Sequence, residues 1–200
     1  MLVLELCCTE NSAVSQVCHE KGVPYLGFTL MQKVQDCVAF LRTILHAAVS
    51  GKGHIAVWIS SPCTAGSKMR FLNLFKRWRE RYKDHVTIWK AIRKLELGQV
   101  PNIKVGREWP VGCDLKVDLP YVRCAKEIGL VYTARIHRCC LDGMRKEWEI
   151  ACNCEVLASR LDTGPCMCAG REAAPTLKKS GEYSREVALH VVRAFQRTLS

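Results

Sequence analysis

Short apolar runs alternate with stretches whose apolar positions recur every three or four residues, along most of the chain. Leu2 to Leu6 (LVLEL) predicts an opening strand, and Cys7 to Ser12 (CCTENS) a polar turn. Ala13 to Gly22 predicts a helix that Ser12 caps and Gly22 closes. Val23 to Leu30 predicts a second strand. Strand, turn, helix, glycine, strand within thirty residues is the first half of a doubly wound unit. Between Gln32 and Ser50, Val34, Val38, Leu41, Leu45 and Val49 mark one amphipathic helix, ended by Gly51 and Gly53. The next stretch, His54 to Ser67 (HIAVWISSPCTAGS), carries the nearly unbroken apolar run Ile55 to Ile59, as a strand buried on both faces requires. Pro62 cannot donate to a ladder and should end it. Cys63 is then expected at the carboxyl end of a central strand, the edge where open α/β sheets bind ligands. The plain alternative is that it only packs, because free cysteine is among the most buried residue types.

From Lys68 onward the pattern predicts a helix with Met69, Leu72, Phe75 and Trp78 or Arg79 on its apolar stripe, and a second helix from about His85 to Leu97 with Val86, Trp89, Ile92 and Leu95 or Glu96 on its face. Pro101 to Val105 reads as a short strand, followed by Gly106 and a turn, REWPVGC. Leu119 to Ile128 reads as a helix ended by Gly129. Leu130 to Ile136 and Glu147 to Ala151 read as late, paired strands. Glu155 to Leu161 reads as a short helix, Asp162 to Ser180 as loop, and Ser184 to Leu199 as an amphipathic helix. No internal repeat, low-complexity segment or long linker divides the chain, so one α/β domain over residues 1–200 is expected, a three-layer sandwich on a mostly parallel, seven-stranded Rossmann-like sheet.

Composition adds a partner to this picture. Apolar residues make up 48% of the chain, enough for a core, and the formal net charge is +11. A balance this basic favours a polyanion, nucleic acid first and acidic membrane second; DNA is expected before RNA. The charge is concentrated: ten basic residues fall in the twenty-seven from Lys68 to Lys94, against only Glu80 and Asp84. Lys68, Arg70, Lys76, Arg77, Arg79, Arg81 and Lys83, interleaved with Trp78, Tyr82 and Trp89, are the candidate nucleic-acid contacts. A solvated basic helix face is the bland alternative. No apolar run is long enough to span a bilayer, and MLVLELCC does not read as a signal peptide. An intracellular setting is expected, the nucleus among the options, with most of the thirteen cysteines reduced.

Two stretches read together carry a resemblance. LELCCTENSAVSQVCHEKGVPYLGFT resembles the first strand, loop and helix of a class I methyltransferase, and WISSPCTAGS resembles the Pro-Cys loop of cytosine-5 DNA methyltransferases. REWP stands where that family has a Glu-Asn dipeptide. The order of an ELC opening, Pro-Cys-Thr, Glu-Trp-Pro, the Glu147-Trp148 strand and the tail PTLKKSGEYSREV is similar to methyltransferase-like segments of protist open reading frames and mobile-element polyproteins, over nearly the whole chain. The resemblance implies Cys63 as the nucleophile toward C6 of a flipped cytosine and Glu108 as the group that binds and protonates the base. It implies S-adenosylmethionine as cofactor, held at the loop Cys8, Thr9, Glu10, Asn11 and Ser12. Two departures carry an alternative. The loop has no glycine, and the second strand ends Gly27-Phe28-Thr29 without an acid. A non-catalytic nucleic-acid-binding module derived from a mobile element would need neither.

Cys152 and Cys154, with Cys166 and Cys168, form two C-x-C pairs near Cys139 and Cys140. Four thiolates can hold zinc, but the usual knuckle is C-x-x-C, so simple reduced thiols and no metal are expected. None of the six histidines forms a short ligand pair.

Overall fold

A computed structural model describes residues 1–29, 31–51, 53–60, 75–97, 100–111, 113, 119–144, 146–165 and 183–200; within its helices the side chains of 31–33, 75–81, 84, 85, 119 and 120 are not described. Six strands form one sheet: β1 (Leu2–Leu6), β2 (Tyr25–Phe28), β3 (Ile55–Ile59), β4 (Ile103–Pro110), β5 (Tyr132–His137) and β6 (Glu147–Cys152), in the order β2-β1-β3-β4-β6-β5. Pairing is parallel from β2 through β4, and β6 is inserted antiparallel between β4 and β5. The fold is thus α/β on a mostly parallel, Rossmann-like sheet. A seventh strand, expected from the sequence, is not among the described residues.

The helices are α1 (Ala13–Glu20), α2 (Met31–Asp36), α3 (Val38–Ser50), α4 (Phe75–Arg93), α5 (Leu119–Glu127), α6 (Glu155–Leu161) and α7 (Arg185–Leu199). Alternation along the strands divides the core in two. Leu4, Leu6, Val57, Ile59, Val105 and Trp109 face one layer, with Leu41 and Leu45 of α3 and Trp89 and Ile92 of α4. Val3, Ala56, Trp58, Trp148 and Ile150 face the other, with residues of α1, α6 and α7 such as Val17, Leu157 and Val191. Every residue of β3 is buried, as its unbroken apolar run predicts. Ser12 caps α1 and Ser184 caps α7, each hydroxyl accepting from a backbone N–H three residues on. Gly22 and Gly129 follow α1 and α5 at φ +63° and +73°, a region where glycine carries no Cβ penalty.

Four expected boundaries are corrected. The helix over Gln32 to Ser50 is two, α2 and α3, meeting at Cys37; Leu41 N–H bonds the Cys37 carbonyl to start the second, so Val34 and Leu41 are buried from separate helices. The two basic helices expected between Lys68 and Leu97 are, from Phe75 to Arg93, one; no glycine or proline interrupts that stretch. The second strand is shorter than Val23 to Leu30, since Pro24 has no N–H to give the ladder. The strand expected to stop at Val105 continues to Pro110, because β6 pairs with Gly106 through Pro110. Glu108 therefore lies within a strand and not in a turn.

Candidate functional site at the carboxyl edge

The chain runs from β1 outward to β2 and then crosses back to β3 on the other side of β1. That reversal puts a topological switch point between β1 and β3, and the crevice over their carboxyl ends is where such sheets place ligands. The side chains of Glu5 on β1, Trp58 on β3 and Glu108 on β4 share the sheet face that α1 and α7 cover, by the alternation described above.

Glu5 is an acid in an otherwise apolar strand and only 1% exposed. Its Oε2 accepts from the Ser12 hydroxyl at 2.6 Å and the Tyr25 hydroxyl at 2.8 Å. Burial pushes its pKa above the ordinary carboxylate value, and the two hydrogen bonds pull it partly back. Tyr25 also reaches Cys8 Sγ at 3.5 Å, and its ring leans over Gly27, where a Cβ would overlap the Tyr25 hydroxyl. Burial pushes the Cys7 thiol up to about 12 and raises Cys8, so neither is a thiolate at neutral pH.

A second group surrounds Tyr183. Its hydroxyl accepts from Trp58 Nε1 at 3.2 Å and lies 3.1 Å from Ser60 Oγ, just past the end of β3. The ring packs against Trp58 and Trp148. The same hydroxyl faces Glu108 as a hydrogen-bond donor. Glu108 is half-buried overall, but its Oε2 is sealed from solvent, with no hydrogen-bond partner among the described residues. Burial pushes its carboxyl up to about 7, against the lowering effects of Tyr183, Lys146 and Arg107. Such a group holds a proton about half the time at neutral pH and can donate as well as accept. On the opposite face, Arg107 is buried over the rings of Trp109 and Trp89, at 4.9 and 5.5 Å.

The predicted residues fare unequally. Glu108 stands at the carboxyl edge beside the end of β3. Cys63, Lys68 and Arg70 lie outside the described residues, as do the side chains of Lys76, Arg77, Arg79 and Arg81; Lys83 is exposed. Trp89, expected among basic residues on a nucleic-acid face, is instead 1% exposed and stacked on Trp109, so it offers no base a platform. Its helical spacing with Ile92 and Leu95 pointed inward instead, and those two residues are buried with it. In the loop, Thr9, Glu10 and Asn11 are exposed, while Cys8 and Ser12 are buried. Ser12 and Tyr25 are bonded to Glu5, Cys8 is bonded to Tyr25, and the space over Gly27 is filled. The buried side chains of the loop are thus engaged with β1 and β2. Of the cysteine pairs, Cys166 and Cys168 lie outside the described residues, Cys152 and Cys154 are free thiols, and Cys139 is disulfide-bonded, contrary to the reduced state expected for it. No cluster of three His, Cys, Asp or Glu suited to a metal occurs among the described residues. No helix among them is long and apolar enough to cross a membrane.

Sequence reasoning missed Glu5, Tyr25, Ser60 and Tyr183. Only Glu5 carried a signal, as the lone charge in LVLEL. Compared with protein-family models and with curated proteins, the chain matches none.

Proposed function

We propose that the chain is a methyltransferase-like protein, resembling the cytosine-5 DNA methyltransferases, that receives a nucleobase at the carboxyl edge of β3 and β4. The observation that carries this reading is the Glu108 carboxyl, set beside the end of β3 with one oxygen sealed and unpartnered among the described residues, and a pKa of about 7. A ring nitrogen beside an exocyclic amine offers an acceptor and a donor, and a half-protonated carboxyl can meet both. Tyr183 and Ser60 bond each other beside Glu108, and Trp58 anchors Tyr183 from within the core. Cys63 follows the end of β3 by four residues of chain and serves in this reading as the nucleophile. The mostly parallel sheet and its switch point are compatible with the methyltransferase type.

A specific observation favours the second reading, a nucleic-acid-binding module without turnover. Cys8, Ser12, Tyr25 and Glu5 are committed to one another where S-adenosylmethionine would have to enter. Calorimetry with S-adenosylmethionine, at protein concentrations well above micromolar, separates the two. Saturable 1:1 binding supports the enzyme, and a Cys63→Ala variant should then lose methyl transfer. No heat and no thermal shift at millimolar cofactor sinks the enzyme reading. The binding module predicts nucleic-acid affinity that depends on salt and ignores both the cofactor and Cys63.

A further inference from the structure

Three arginines converge on the outer side of the layer formed by α6 and α7. Arg160, in the last turn of α6, and Arg193 and Arg197, one turn apart on α7, line a groove of about 400 Å³ between the two helices. All three are exposed. None pairs with a carboxylate among the described residues; Arg160 Nη1 donates only to the Thr198 hydroxyl, at 3.3 Å. By contrast Arg185, at the start of the same helix, is engaged by Glu20 through three hydrogen bonds. The groove has a firm floor: His190 Nε2 lies 2.9 Å from the Leu161 carbonyl and ties α7 to α6, and Ala194 is buried. Its one acidic lining residue, Glu186, sits at the far end, in the first turn of α7.

Helix dipoles account for part of this arrangement, since cations are favoured near helix carboxyl ends. They do not account for three guanidinium groups opening onto one groove, where mutual repulsion adds a cost that an anion removes. Guanidinium forks match phosphate oxygens in a bidentate manner. We propose that the α6–α7 groove seats the phosphodiester backbone of a nucleic acid. The chain's net charge of +11 argues for a polyanion over a small ion. The proposal rests on the nucleic-acid half of the reading above, and adds a binding surface on the sheet layer opposite α4.

The test is fluorescence anisotropy of a labelled duplex oligonucleotide against the full chain, titrated across salt. A triple variant, Arg160→Gln with Arg193→Gln and Arg197→Gln, should reduce the slope of log K against log salt by about 2–3, at about 0.9 for each phosphate no longer neutralised. Arg185→Gln should leave the slope unchanged. Cys140, an exposed free thiol lining the same groove, gives a second readout in the unaltered protein. Bound oligonucleotide should slow its alkylation, read at that residue by mass spectrometry. An unchanged slope with a lowered melting temperature would mean that the arginines serve the helix ends only, and would overturn the proposal. So would no oligonucleotide binding at low salt, or binding of inorganic phosphate that the triple variant loses while oligonucleotide affinity stays. Calorimetry with S-adenosylmethionine is blind to these arginines, so failure of the groove and failure of the enzyme reading are told apart.

Discussion

Glu108 sits inside β4 with one carboxyl oxygen sealed from solvent. The chain pairs it with a Pro-Cys segment, which marks it as a candidate acid, but Gly106 and Pro110 suggest a turn around it. The glycine has another cause. A Cβ at Gly106 would stand 2.8 Å from the Trp58 ring, so glycine there permits the close approach of β4 to the core beneath α7. Gly106→Ala should therefore destabilise by about 1–3 kcal/mol, measured by urea unfolding; a negligible cost would mean that Trp58 moves freely. The Glu108 carboxyl gives a pH dependence of defined sign. Its folded pKa of about 7 lies above the ordinary 4.5, so the folded state binds the extra proton between those values. Its contribution is fully present below about pH 4.5 and is lost as pH rises through about 7. Glu108→Gln, which stays neutral, should lose less stability than the wild type between about pH 5 and 7.5, by roughly 1–3 kcal/mol. Parallel curves for the two proteins would contradict the burial of this carboxyl. Tyr183, which faces Glu108, is invisible in the sequence because only the closed fold brings it 123 residues back to Ser60.

Elements were legible where a local signal sets them. The Ser12 cap, the glycines after α1 and α5, and the unbroken run of β3 are short-range chemistry; Ser184, expected as the first residue of the last helix, is its cap. What was not legible depended on partners distant in sequence: the length of β4 is set by β6, and the rings that Trp89 meets, Trp109 and Tyr121, come from β4 and α5. The two caps make a matched pair for experiment. Ser184→Ala removes the hydrogen bond from Val187 N and also a donor to Asp142, whose carboxyl lies below its ordinary value; it should cost about 1–2 kcal/mol with little pH dependence between about pH 5 and 7.5, where Asp142 stays ionised. Ser12→Ala removes the cap on Ser15 N and also the donor to Glu5 Oε2. With one donor gone, the raised pKa of Glu5 rises further. The added cost should then grow as pH rises toward neutrality, because a raised carboxyl loses its contribution in that direction. Thermal melts of both variants at about pH 5 and about pH 7.5 read this linkage; equal losses at both values would show that Glu5 does not depend on Ser12.

For the molecule as a whole, the class of sheet was readable because each strand and helix announces its own period, whereas the occupancy of the crevice was not, because it is decided by side chains meeting across β1, β2 and α1. Net charge was readable at once, and it has a consequence for stability that does not depend on any ligand. At +11 the folded chain repels itself more than an expanded chain does. Against this stand exposed ion pairs, Arg93–Glu127, Arg185–Glu20 and Arg135–Glu147, each worth little at the surface. Salt screens both. Raising ionic strength from about 0.01 to 0.15 M shortens the screening length from about 30 to 8 Å. That change removes long-range repulsion between like charges spread over the surface, while adjacent opposite charges are screened less. The melting temperature should therefore rise with sodium chloride over this range. A fall would show that the surface pairs outweigh the repulsion, and that the excess of positive charge is already neutralised within the fold. The same titration repeated with a short duplex oligonucleotide should show the opposite trend, because the stabilisation it confers through binding shrinks as salt competes for the phosphates.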